Sequence, residues 1–238
     1  FAFFSIMYLS KSLNFSAEGF IMLIYSLSFF FLTRGLSNIF SSNVNYFLCV
    51  LLFLSSSAFF LLYSNVIRQG LGASILIYIL SVSTKKTWLK IIMPFIHKGT
   101  LVYFLRKLFY IKSLKKRVVF MLIAIASPPL MNQIIALFEF TGLKMIDFYL
   151  NTFERESSYN SLIKLFILVS TNILFFVFSR NFIKNNKEQT IYYTYFAFSM
   201  VTILFFNIDG IFSRLNFFCV FLAFPLHILL IKYLAPRS

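Results

Sequence analysis

The sequence predicts an all-α fold, a polytopic helix bundle embedded in a membrane. Of its 238 residues, 60% are hydrophobic and 35 are phenylalanine, and the mean hydropathy of +0.85 exceeds that of a soluble protein. The apolar residues form long runs without the alternation of β-barrel strands, so helices are the predicted spanning elements. We expect a single transmembrane domain over residues 1–238.

Apolar runs of membrane-spanning length predict about seven to eight spans. Phe1 already lies in the apolar run FAFFSIMYL, which indicates that the chain is truncated at its N-terminus and begins inside a helix. Pro128 and Pro129 are expected to kink or break their helix, because proline lacks the backbone N–H that a helix needs. In chain order, the predicted spans are residues 1–9, as a stump, 18–33, 44–63, 66–82, 118–140, 161–179, 190–207 and 215–234.

The charge pattern around residues 91–105 predicts that this segment is a re-entrant hairpin with His97 near its tip. The segment lies between two basic stretches, one with Lys85, Lys86 and Lys90 and the other over residues 106–117. The positive-inside rule places both stretches in the cytoplasm, so the segment between them enters and leaves on the same side. The alternative is a true span, which would move every earlier loop to the opposite side of the membrane.

The charge distribution predicts which loops face the cytoplasm. With residues 106–117 inside, residues 141–160 form a periplasmic loop, 180–189 lie inside, and 64–68 and 208–214 lie outside. Most of the 22 Lys and Arg residues then face the cytoplasm, so the net charge of +15 is typical of membrane loops and predicts no nucleic-acid partner. The cations left on the outer side are Lys11, Arg68, Lys144, Arg155, Lys164 and Arg214.

Arg68 is the first candidate for chemistry. It lies in SNVIRQG, between two apolar runs, and is followed by the small residues Gly70 and Gly72. One interpretation is an interfacial arginine that reaches towards lipid phosphates. The other is an anion site, because the planar and permanently charged guanidinium fork matches a phosphate group. The glycines predict close approach of another helix or of a ligand to the backbone.

His97 and the pair Asp209 and Arg214 are the other candidates. His97 lies in MPFIHKGT, where it is either a hydrogen-bonded core residue or a general base or oxyanion donor. Asp209 and Arg214 are either an interfacial ion pair or part of a polar site at the outer end of the last helix. The sequence has no phosphate-binding loop, no metal-ligand spacing and no GxSxG motif, so we expect neither a cofactor nor a metal.

The order of these motifs resembles the EpsG-like and Wzy-type polysaccharide polymerases over roughly residues 10–232. FFLLYSNVIRQGLGASILIYIL, IMPFIHKGTLVYFL and SRLNFFCVFLAFPL carry the resemblance. It implies a multi-pass protein of the bacterial inner membrane that joins polyprenyl-diphosphate-linked oligosaccharide units at the periplasmic face, in O-antigen, capsule or exopolysaccharide synthesis. Such a glycosyltransferase needs no metal, and its partners are the lipid-linked glycan, the bilayer, a chain-length regulator and a flippase.

The resemblance also implies roles for individual residues. Fixed cations at the outer boundary would stabilise the departing diphosphate, and the acceptor hydroxyl needs a base, for which His97, Asp209 and Glu154 are candidates. The alternatives are a flippase or transporter for the same lipid-linked glycan, or a membrane O-acyltransferase with His97 as its base. The implied catalytic residues are His97, Arg68 and Asp209, and the implied binding residues are Arg68, Gln69, Arg214, Asn65, Glu154 and Arg155.

Overall fold

The regular structure of the chain is helical. The computed structural model describes residues 2–56, 59, 67–82, 87–109, 113–130, 133 and 159–234, and within these residues every regular element is a helix. The predicted all-α class is therefore confirmed. The helices are α1 (Ala2–Ser12), α2 (Ala17–Ile39), α3 (Asn43–Leu54), α4 (Ile67–Ser81), α5 (Thr87–Ile96), the 3₁₀ turn η1 (Lys98–Leu101), α6 (Val102–Leu105), α7 (Leu114–Ala126), α8 (Tyr159–Phe182), α9 (Asn186–Leu204) and α10 (Asp209–Leu234).

Three of these helices are long and apolar enough to cross a membrane. They are α2, α8 over Asn160–Ser179, and α10 over Gly210–Leu234. The 23 residues of α2 rise about 35 Å, which exceeds the roughly 30 Å thickness of the hydrocarbon core. The helices α3 and α4 are apolar but shorter. Large apolar side chains such as Phe166 and Ile167 on α8 are exposed, as lipid-facing residues are. The chain is a membrane protein.

Several helix ends differ from the predicted span ends. Because α2 continues through Arg34 to Ile39, the predicted loop over 34–43 is mostly helical. In the same way, α10 begins at Asp209, so the predicted outer loop over 208–214 contributes two turns of helix. Helix α3 ends at Leu54, inside the predicted span 44–63, and the Ser55 hydroxyl donates to the Leu52 carbonyl there. Hydrophobicity reports membrane burial, whereas backbone hydrogen bonding sets where a helix ends.

The predicted break at Pro128 and Pro129 is confirmed. Helix α7 ends at Ala126, and Ser127 closes it by donating its hydroxyl to the Ala124 carbonyl. The two prolines that follow cannot donate backbone N–H groups to continue the α-helical ladder. The break leaves α7 with only 13 residues, of which the first turn contains Lys115, Lys116 and Arg117. These three cations were predicted to lie in a loop.

The segment predicted to be a hairpin is a broken helix. Its first part, α5, has ten residues and rises about 15 Å, half the hydrocarbon thickness. The helix ends at Ile96, His97 lies outside any helix, and η1 and the four-residue α6 follow. No described element of this segment is long enough to cross the membrane, and the interruption falls at His97 as expected.

The chain divides into two compact units, each built from segments that are distant in sequence. Unit 1 comprises Phe1–Leu101, Arg180–Tyr192 and Val220–Ser238, and unit 2 comprises Val102–Ser179 and Tyr193–Cys219. In unit 1, α2 packs against α4 at Gly35, where an added Cβ would lie 2.9 Å from the Ile77 side chain and from the Tyr78 nitrogen.

Unit 2 has a dense aromatic core. The rings of Phe198 and Phe218 stack with centroids 5.2 Å apart, and Phe175 meets Tyr195 edge-on at the same distance. Such ring pairs add stability beyond the apolar area that they bury. This packing fixes the neighbouring parts of α8, α9 and α10 within the unit.

Candidate active site

The start of α4 meets the helix break at His97 through a glycine. A Cβ added to Gly72 would lie 3.1 Å from the His97 Cβ and 3.4 Å from the Thr100 Cγ2. No larger residue fits at this separation without displacing a neighbour. The close approach predicted for the small residues of α4 is therefore confirmed at Gly72, and the His97 segment is what approaches.

Arg68 lies one helical turn before Gly72. Residues four positions apart share a helix face, and the two Cα atoms are separated by about 6 Å along the axis. Arg68 is exposed, while every residue from Gln69 to Ser81 is buried. Its guanidinium carbon lies 5.6 Å from the ring centroid of Phe3 and 5.5 Å from that of Phe4, both on α1. These cation–π contacts hold the side chain while its charged fork stays accessible.

Gln69 faces differently from Arg68. It is only 1% exposed, and the 100° step between successive helical residues turns it away from the exposed face at the helix start. A buried amide needs hydrogen-bonding partners, so its position ties the residue to the interior of unit 1. Gln69 was expected to bind ligand, but its amide is buried in this structure.

The hydrogen bonds of His97 indicate which ring nitrogen carries the proton. Its Nδ1 accepts a hydrogen bond from the Gly99 backbone N–H at 3.1 Å. Its carbonyl accepts from the Thr100 hydroxyl at 2.8 Å and from the Thr100 backbone N–H at 3.1 Å. A neutral imidazole that accepts at Nδ1 carries its proton on Nε2. Of the two chemical roles left open by the sequence, this geometry favours the hydrogen-bond donor over the general base.

Asp209 and Arg214 belong to unit 2 and lie on the first two turns of α10. Asp209 is the first residue of the helix, and its side chain lies outside the described structure. Arg214 is exposed.

Lys164 on α8 contacts the start of α10. Its Nζ donates to the Ser213 hydroxyl at 3.0 Å, which joins α8 to the residue just before Arg214. Lys164 therefore bonds to the residue that directly precedes Arg214 in unit 2. The charge distribution of the sequence predicted that both residues lie on the outer side, but no pattern predicted that they are close together.

Three predicted binding residues lie outside the described residues: Asn65, Glu154 and Arg155. Residues 141–158 of the predicted periplasmic loop lie there as well, and its last two residues, 159 and 160, begin α8. The roles of these residues stay predictions.

Arg117 is a residue that the sequence analysis missed. It is 5% exposed, and its guanidinium carbon lies 5.6 Å from the ring centroid of Phe176 and 5.8 Å from that of Tyr193. Its Nη1 lies 3.5 Å from the Ser179 hydroxyl. In the sequence it is the last of a run of loop-like cations, and the apolar run that starts at Val118 is the signal that a helix had already begun.

Comparison with known families decides the relationship. The sequence model of the EpsG family matches residues 1–238, the whole chain. The chain belongs to the EpsG family. This confirms the resemblance that the motifs around Arg68 and His97 carried. No curated protein and no solved structure gives a significant match to the chain.

This EpsG-family protein therefore presents two groups of polar residues, one in each unit. Unit 1 carries the exposed Arg68 next to the His97 segment, and unit 2 carries Lys164 and Arg214. Among the side chains that the structure describes, no group of three or more His, Cys, Asp and Glu residues is arranged to hold a metal ion. The chemistry available in unit 1 is that of fixed hydrogen-bond donors and positive charge.

Proposed function

We propose that this protein is a polymerase that joins polyprenyl-diphosphate-linked oligosaccharide units. The observation that carries the proposal is the contact between Gly72 and His97, since the exposed Arg68 lies one helical turn before Gly72 on α4. Both side chains carry N–H groups, and a site for a leaving diphosphate requires such donors. Membership of the EpsG family supports the same class of glycan polymerase.

The proposed reaction is a glycosyl transfer. An acceptor hydroxyl attacks the anomeric carbon of the donor, the new C–O bond forms, and the bond between that carbon and the diphosphate oxygen breaks. Negative charge grows on the departing diphosphate, where the Arg68 fork and the His97 Nε2–H would stabilise it. The hydroxyl proton passes to a base; because His97 carries its proton on Nε2 in this scheme, the candidates left from the sequence are the carboxylates Asp209 and Glu154.

The proposed setting is the bacterial inner membrane, crossed by about seven to eight spans. Residues 91–105 re-enter from the cytoplasmic side, which accords with the ten-residue length of α5 and the interruption at His97. The cationic first turn of α7 faces the cytoplasm in this topology. A flippase supplies the lipid-linked units, and a chain-length regulator acts on the growing polymer as a partner.

The direct test supplies the purified protein with a purified lipid-linked repeat unit and follows polymer length on a gel. We expect polymers of many units together with release of polyprenyl diphosphate. In the host, deletion should leave single repeat units on the cell surface. Unchanged long chains would refute the proposal, and repeat units retained in the cytoplasmic leaflet would indicate a flippase. Loss of acetyl groups at normal chain length would indicate an O-acyltransferase.

A further inference from the structure

Thr100 closes the backbone turn that carries His97. It lies in η1 and is fully buried, at 0% exposure. Its hydroxyl donates to the His97 carbonyl at 2.8 Å, and its backbone N–H donates to the same oxygen at 3.1 Å. A carbonyl oxygen has two lone pairs, so these two bonds satisfy it. The His97 carbonyl is therefore fixed by two donors from one residue.

The other side of His97 is fixed by α5. The His97 backbone N–H donates to the carbonyl of Met93 at 3.1 Å, and Met93 is itself 0% exposed. Both backbone polar groups of His97 are thus bonded, although the residue lies between α5 and η1. The direction of its Cα–Cβ bond is consequently set, and the imidazole can change position mainly by rotation about χ1 and χ2.

A backbone N–H from the same turn limits that rotation. The Gly99 N–H donates to His97 Nδ1 at 3.1 Å. Gly99 lies between His97 and Thr100, so the bonds from Thr100 to the His97 carbonyl hold the peptide group that carries this N–H. A neutral imidazole that accepts at Nδ1 has its proton on Nε2. Thr100 therefore influences the location of that proton through the backbone.

The packing against α4 explains why a threonine suits this position. A Cβ added to Gly72 would lie 3.4 Å from the Thr100 Cγ2, so the methyl group of Thr100 faces α4 while its hydroxyl bonds to His97. The two groups on its Cβ leave few χ1 rotamers, so packing of the methyl group also orients the hydroxyl. Serine would keep the hydrogen bond and lose this packing, and valine would do the reverse.

We propose that Thr100 is a positioning residue that keeps the His97 proton on Nε2 by holding the Gly99 N–H against Nδ1. The use of that proton as a hydrogen-bond donor to the departing diphosphate rests on the proposed function. Its location on Nε2 does not, because it follows from the turn alone. The two parts of the inference can therefore be tested by separate measurements.

Nitrogen NMR of the full chain in lipid nanodiscs, with isotope-labelled histidine and in alkaline buffer, reports the location of the proton. Histidine is neutral under these conditions, and H97Q identifies which signals belong to His97. We expect the wild type and T100S to carry the His97 proton on Nε2, and T100V to show a measurable fraction with the proton on Nδ1. A wild-type protein with the proton on Nδ1 would overturn the proposal without recourse to a Thr100 variant. Identical His97 spectra for T100V and the wild type would also overturn it.

T202V is the matched control. Thr202 is also 0% exposed, and its hydroxyl donates to a backbone carbonyl, that of Phe198, at 2.7 Å. T202V therefore removes a buried hydroxyl by the same substitution in unit 2. Its His97 signals should match those of the wild type. A redistribution of the proton equal to that in T100V would mean that the loss of any buried hydroxyl has this effect, and would overturn the specific role of Thr100.

A polymerisation assay separates this inference from the proposed function. The kcat of T100V should fall roughly three- to tenfold with little change in KM, and T100S should restore it, because a donor that acts on the leaving group contributes mainly in the transition state. The expected spectra from a protein that forms no polymer would support the role of Thr100 in the turn and refute the polymerase. Polymer formation by T100V at the kcat of the wild type would leave the polymerase intact and overturn Thr100 as a positioning residue.

Discussion

Replacing Gly72 by alanine perturbs the contact on which the proposed site depends. The added methyl group would lie 3.1 Å from the His97 Cβ and 3.4 Å from the Thr100 Cγ2. Non-bonded carbon atoms prefer a separation of about 3.5–4.0 Å, so α4 and the His97 segment must separate by at least about 0.4 Å. Because the nearest atom is the His97 Cβ, whose position is fixed by the backbone, a change of side-chain rotamer does not relieve the contact.

Two opposing terms set the magnitude of the effect on stability. Overpacking of this kind costs about 1–3 kcal/mol, while replacing glycine by alanine within a helix contributes about 0.5–1 kcal/mol. We expect a net loss of about 1 kcal/mol, which corresponds to a decrease in Tm of about 2–4 °C for a chain of this length. If a displacement of about 1 Å costs a catalytic site about 100-fold, a displacement of 0.4 Å should lower kcat/KM roughly five- to tenfold.

The assay measures Tm and kcat/KM for polymerisation of a purified lipid-linked repeat unit by G72A and by the control G35A. An alanine at position 35 is more crowded, since its Cβ would lie 2.9 Å from both the Ile77 Cγ2 and the Tyr78 nitrogen. That contact is about 9 Å further along α4, away from His97. G35A should therefore lose more stability and less activity. A higher Tm and an unchanged kcat/KM for G72A would refute the reasoning.

Substitutions at three further positions test individual side chains. R68K keeps the charge but loses the planar fork, so kcat/KM should fall at least tenfold at unchanged Tm. Wild-type turnover by R68K would indicate that Arg68 only anchors the protein to lipid. H97Q retains an N–H donor, so its kcat should stay clearly above that of H97A. An equal loss of kcat in the two variants would contradict the donor role of His97. R117A removes two cation–π contacts worth about 2 kcal/mol in total, so Tm should fall by about 4–8 °C, and an unchanged Tm would contradict the packing of Arg117.

The helices and their breaks could be predicted from the sequence to a large extent. Two adjacent prolines, Pro128 and Pro129, withhold two backbone N–H groups and so interrupt a helix, although the single prolines Pro94 and Pro225 lie within α5 and α10. Long apolar runs must be helical to satisfy their backbone groups in lipid. The predictions were less accurate at the helix ends. Arg34 and Arg214 were assigned to loops because they are charged, yet both lie within helices, since arginine is a good helix former and its long side chain extends away from the backbone.

The composition of the candidate sites depends on contacts between distant residues. The sequence indicated Arg68 and His97 separately, but only the approach at Gly72 relates them. The sequence treated Arg117 and Lys164 as ordinary cations, whereas the fold surrounds one with aromatic rings and bonds the other to Ser213. No local pattern encodes such contacts, because they arise from the packing of helices that are far apart in the chain.

The sequence by itself determined that this chain is a helical membrane protein of the EpsG family with Arg68 and His97 as candidate residues. Hydrophobicity and proline content act locally, so they can be read without the fold. Only the tertiary structure decided that Gln69 is buried, that His97 accepts a hydrogen bond at Nδ1, and that Lys164 donates to Ser213. These features depend on which helix faces contact one another, and the packing of the whole chain determines those contacts.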